Sequence, residues 1–142
     1  MAKAPDWKFI YADIKTIAVV GCSRHSGKAA RYVPAYMRGH GYDVVPVNPS
    51  RGRTASRFRA YPNLLAISPE VPVDAVAVFR PSAEVPEVAR QAAQMAAKPR
   101  YFSIPEGISS ANASRIAEAS GMIVIEDTCM MKTHKRHIRP AH

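Results

Sequence analysis

Apolar residues along this chain fall into two alternating patterns. Short, largely apolar runs occupy residues 16–21, 42–47, 73–79, 100–104 and 122–125. Runs of that length, rich in Val and Ile and bounded by Gly, Pro or Asn, predict strands. Between them, apolar residues recur every three to four positions. Trp7, Ile10, Tyr11 and Ile14 share one face of a helix over about 6–14; Ala30, Val33 and Met37 do so over about 27–39. Pro34 inside the second helix either kinks it or marks a later start. Gly39 and Gly41 end it. Further helices are expected over about 83–97 and 109–119, with a single helical turn near 61–65 and Gly121 as the final stop.

Strands that alternate with helices and lack a polar face belong in a parallel sheet covered on both sides, joined by right-handed crossovers. The expected fold class is α/β, a Rossmann-like three-layer sandwich around a five-stranded parallel sheet. The first strand should be central and the fifth at an edge, two strands away. The 142 residues suffice for a single domain with its own core over about 12–130. Residues from about 131 onward read as a solvated basic tail, with Lys132, Lys135 and Arg136 among interleaved histidines.

Parallel sheets of this kind bind ligands beyond the C-terminal ends of their strands, where the strand order reverses. The first strand runs into Gly21-Cys22-Ser23 and then a helix beginning near Lys28. Glycine allows close backbone approach, and a helix start offers free N–H groups to a phosphate. The segment is not a Walker A loop: five residues separate Gly21 from Gly27-Lys28, and Ala29 follows. Nor is it the dinucleotide fingerprint, because Ser23 and Ser26 stand where glycines belong. At the end of the second strand, Asn48-Pro49 replaces the carboxylate that usually holds the ribose of NAD. Arg51 or Arg53 there suits a ribose bearing an extra phosphate, as in NADP or coenzyme A; the alternative is that Asn48-Pro49 simply makes a turn. After the third strand, Phe79 and Pro81 are placed to flank an adenine, and Arg80 to pair with phosphate. Glu106, before Gly107, either begins a helix or accepts from a ligand hydroxyl or amine.

A formal charge of +9 favours an anionic partner. No nucleic-acid-binding motif or run of stacking aromatics is recognisable, so a small phosphorylated ligand is expected rather than nucleic acid. No apolar run approaches the roughly 20 residues that span a bilayer. Two cysteines and no recognisable export signal point to the cytoplasm. Ser23 and Ser26 flank His25 but lie in no nucleophile elbow. Cys129, His134 and His137 fit no standard zinc spacing. No catalytic residues or metal are therefore expected.

Several segments in order resemble the Rossmann-like CoA-binding family, which includes small stand-alone CoA-binding proteins and the CoA-binding domain of the succinyl-CoA synthetase alpha subunit. They are residues 17–23, 41–49, Ala60-Tyr61-Pro62, residues 73–81, Glu106-Gly107-Ile108, Glu126-Asp127-Thr128-Cys129 and His134-Lys135-Arg136. The resemblance implies that the pyrophosphate of coenzyme A, or of an acyl-CoA, lies against Gly21, Cys22, Ser23 and Lys28. It places the phosphorylated ribose near Asn48, Pro49 and Arg51. It sends the adenine and pantetheine along Phe79-Arg80-Pro81 and Ile104-Pro105-Glu106. The synthetases' phosphohistidine segment and ATP-grasp partner are absent from so short a chain, so the resemblance implies binding without catalysis. A homo-oligomer or an enzyme that uses acyl-CoA is the kind of partner implied. The competing readings are an enzyme that uses NADP or a CoA thioester, a regulatory nucleotide sensor, and a basic protein associated with nucleic acid.

Overall fold

The computed structural model describes residues 5–21, 28–48 and 60–138. The elements follow in the order α1 (Trp7–Asp13), β1 (Thr16–Val20), α2 (Ala29–Gly39), β2 (Asp43–Val47), β3 (Ala75–Val78), α3 (Val85–Gln94), β4 (Tyr101–Ser103), α4 (Ala111–Ala119), β5 (Ile123–Ile125) and α5 (Met130–His137). Short 3-10 turns at Leu64–Ala66 and Ser82–Glu84 precede β3 and α3. All strand pairs are parallel, in the order β2-β1-β3-β4-β5. The α/β sandwich expected from the apolar pattern is the observed fold. One detail differs. β5 is at an edge, but β3 and β4 both intervene, so it lies three strands from β1, roughly 14 Å at the usual strand spacing.

The alternation of side chains divides the core between the two faces of the sheet. Val76, Val78 and Phe102 face α3 and α4; Ala75, Ala77 and Tyr101 face α1, α2 and α5. Asp6 caps α1 through a bond from Phe9 N–H, and Ser110 caps α4 through Ala113 N–H. α2 runs through Pro34, which is buried, and ends at Gly39, with Gly41 turning the chain just beyond it at φ +96°. Pro46 is tolerated in β2 because that strand is an edge.

Residues 131–137, expected as part of a solvated tail, belong instead to α5, which begins at Met130. Met130 and His134, one turn apart, are buried against α1 and α2. Tyr11 Oη donates to the Met130 carbonyl at 3.1 Å, and Tyr36 Oη lies 2.9 Å from His134 Nδ1. The lysines and Arg136 on the outer side are exposed, which is why the segment reads as tail by composition. No helix among the described residues is long and apolar enough to cross a membrane.

Candidate functional site

The order 2-1-3-4-5 reverses between β1 and β3, so the crevice should open where those two strands end. Gly21 stands at that point. Its N–H donates to the Val47 carbonyl at 2.8 Å, and Phe79 N–H donates to the Val20 carbonyl at 2.8 Å, which ties three strand ends together. Gly21 has φ +86°, and a Cβ there would lie 2.4 Å from the Phe79 carbonyl oxygen and 2.9 Å from Arg80 Cδ. Only glycine allows both the left-handed backbone and this approach.

Phe79 and Arg80 leave β3 in succession, and their side chains serve opposite faces of the sheet. On the α3 face lies a cleft of about 520 Å³, lined by Gly21, Asn48, Asn63, Arg80, Glu87 and Gln91 among others. Arg80 grips Glu84 there through Nε at 3.0 Å and Nη2 at 2.9 Å. Both side chains are about half exposed, so the pair is a weak one. Asn48 holds the floor: its N–H donates to the Tyr61 carbonyl at 2.8 Å, while Tyr61 N–H donates to the Pro46 carbonyl at 2.9 Å.

On the opposite face, between the starts of α2 and α5, lies a smaller cavity of about 80 Å³. Phe79, Ala77, Ser103, Glu106, Cys129 and Lys132 line it, with others. Glu106 bridges to Lys132 at 2.7 Å at the exposed mouth. That contact raises the Lys132 ammonium above its ordinary range. The loops behind the mouth are clasped. Gly107 N–H donates to Asp127 Oδ1 at 2.8 Å, and Asp127 itself takes φ +47°.

Among the residues expected to bind, Gly21, Asn48 and Arg80 therefore meet in the cleft, and Phe79 and Glu106 meet in the cavity. Lys28 is exposed at the start of α2. Pro81 is exposed where the turn before α3 begins. Ile104 packs in the α3–α4 core and lines neither hollow. Cys22, Ser23, Pro49 and Arg51 lie outside the described residues. Ser103 and Gln91 escaped the sequence reading. The signal for Ser103 was a polar residue at the end of a strand that is buried throughout. Gln91 gave none, since its role follows from accepting Leu64 N–H at 3.2 Å across the fold. Among the described residues no three His, Cys, Asp or Glu side chains are grouped to hold a metal.

The family described as CoA binding domain matches residues 15–135 of the chain. The uncharacterised protein YneT of Bacillus subtilis is 32% identical over 120 residues, covering 84% of this chain and 85% of its own. The Thermus thermophilus protein titled cell-free ID.343 superimposes with a TM-score of 0.79 at 32% identity, covering 92% of this chain and 96% of that one. A hypothetical protein of Pyrococcus horikoshii OT3 does so at 0.87 and 27%, covering 97% and 99%.

Proposed function

Since the chain belongs to the CoA-binding domain family, we propose that it holds coenzyme A or an acyl-CoA across the C-terminal rim of its sheet, as a binding module without chemistry of its own. The observation that carries this reading is the cleft of about 520 Å³ at the point where the strand order reverses, into which Gly21, Asn48 and Arg80 converge from three different strands. The nucleotide end of the ligand occupies this cleft. Its pyrophosphate lies over Gly21 and the start of α2, with Cys22, Ser23 and Lys28 as further contacts. Asn48, Pro49 and Arg51 meet the phosphorylated ribose. Arg80 exchanges Glu84 for a ligand phosphate, a charge-assisted contact stronger than an exposed ion pair. The pantetheine arm passes Phe79 toward Glu106 and the smaller cavity.

Asn48 at the end of β2 supports coenzyme A over NAD, because it offers no carboxylate to the two ribose hydroxyls. Calorimetric titration with CoA, dephospho-CoA, NAD and NADP tests the proposal. CoA should bind tightest, and dephospho-CoA more weakly for want of the ribose phosphate. Tighter binding of NAD than of CoA refutes the reading.

A further inference from the structure

The smaller cavity has a feature the larger cleft lacks. Ser103 is only 1% exposed, and its Oγ has no hydrogen-bond partner among the described residues. Buried hydroxyls are nearly always paired, so an orphan facing a hollow marks the place of a missing acceptor. The hollow itself has a clear origin. On the α1–α2–α5 face, Tyr101 fills the sheet at the base of β4, but Ala77 and Ser103 end β3 and β4 with small side chains. The helices rest on the larger residues and leave the space above the small ones open. Val33, Phe79 and Met130 give it largely apolar walls.

We infer that this cavity is the acyl subsite, shaped for a short acyl group on coenzyme A, with the Ser103 hydroxyl donating to an acyl oxygen. The inference rests on the CoA reading above and adds the class of thioester. A volume of about 80 Å³ accommodates roughly five to eight water-sized groups, at about 10–15 Å³ each. That is room for the sulfur and an acyl chain of about two to four carbons. A thioester carbonyl is an acceptor with no donor of its own, which suits a lone buried O–H. Apolar walls suit the methyl or methylene groups beside it. A longer chain meets Ala77 and the backbone of β3 and β4, which are fully buried and cannot withdraw.

The test is calorimetric titration of the full chain with CoA, acetyl-CoA, butyryl-CoA and octanoyl-CoA, repeated on Ser103→Ala after a thermal melt shows that variant folded. Acetyl-CoA should bind at least as tightly as CoA, and octanoyl-CoA about tenfold or more weaker than acetyl-CoA. Ser103→Ala should weaken acetyl-CoA about fivefold while leaving CoA within about twofold. Octanoyl-CoA binding as tightly as acetyl-CoA overturns the inference and leaves the CoA reading intact. So does a Ser103→Ala variant that affects CoA and acetyl-CoA alike, or affects neither. If CoA itself does not bind the wild-type chain, the CoA reading falls, and this inference with it.

Discussion

At the N-terminal ends of the strands, Asp74 accepts from Lys15 N–H at 2.8 Å, Thr16 N–H at 2.9 Å and Arg100 Nη2 at 3.0 Å. Arg100 also donates to Asp13 Oδ2 at 3.0 Å, and Tyr101 Oη donates to the same oxygen at 2.9 Å. At the C-terminal ends, Ser103 Oγ has no partner among the described residues, Arg80 is held by one exposed neighbour, and two hollows stay open. One end of the sheet satisfies its polar groups from within the chain; the other leaves donors and space for something else. Substitutions at the base should therefore change stability and spare binding, and those at the rim should do the reverse.

The strongest challenge to the base is alkali. Burial, then the bond to Asp13, pushes the Tyr101 phenol up to about 12, and burial raises Tyr11 further still. Ionised Tyr101 would set a second anion against the Asp13 carboxylate. Both folded-state values lie above the ordinary 10.0, so the stability these phenols contribute is complete below pH 10 and lost as pH rises through 12 and beyond. Melting temperature should fall across that window, and Tyr101→Phe should flatten the fall. A melt independent of pH between 9 and 12 would show that these phenols do not stabilise the fold.

Asp74→Ala comes next. It strips a partner from two backbone donors and one Arg100 contact and should cost about 2–3 kcal/mol in urea unfolding, with CoA affinity unchanged. Equal losses of stability and affinity would erase the distinction between the two ends.

The smallest expected effect belongs to the rim. Arg80→Ala should weaken CoA about tenfold, near 1.4 kcal/mol, while stability stays within about 0.5 kcal/mol. Glu84→Gln should tighten CoA, since it removes the group that competes with phosphate for Arg80. Unchanged affinity in both variants would assign Arg80 to a solvated ion pair and nothing more.

The order of elements was legible because buried parallel strands and one-faced helices leave different periods in the sequence. Strand ends were read too long for a physical reason. Val73 is apolar and buried, but Asp74 after it turns aside to cap the start of β1, so pairing begins only at Ala75. α5 was hidden because just Met130 and His134 of its eight residues are buried. That Gly21, Asn48 and Arg80 converge followed from the strand-end rule. The split between cleft and cavity was less accessible. Phe79 and Arg80 alternate as any extended neighbours do, but the cavity depends on small residues from two strands lying side by side under two helices. The Asp13–Arg100–Asp74 network joins residues up to 87 positions apart and leaves no local trace.

The stacking of Trp7 on His137, with ring centroids 6.1 Å apart, puts the only tryptophan of the chain at the junction of its first and last helices. Indole emission, excited where the six tyrosines do not absorb, thus comes from one place, where Trp7 also stacks on Tyr11 at 6.0 Å. An imidazole beside an indole alters its quantum yield, so loosening of α5 from α1 becomes visible as light. At about 1.5 Å per residue, α5 carries that junction roughly 10 Å from the wall that Met130 contributes to the cavity. The molecule thus contains an intrinsic fluorophore packed against the helix that borders the cavity, and it requires no label.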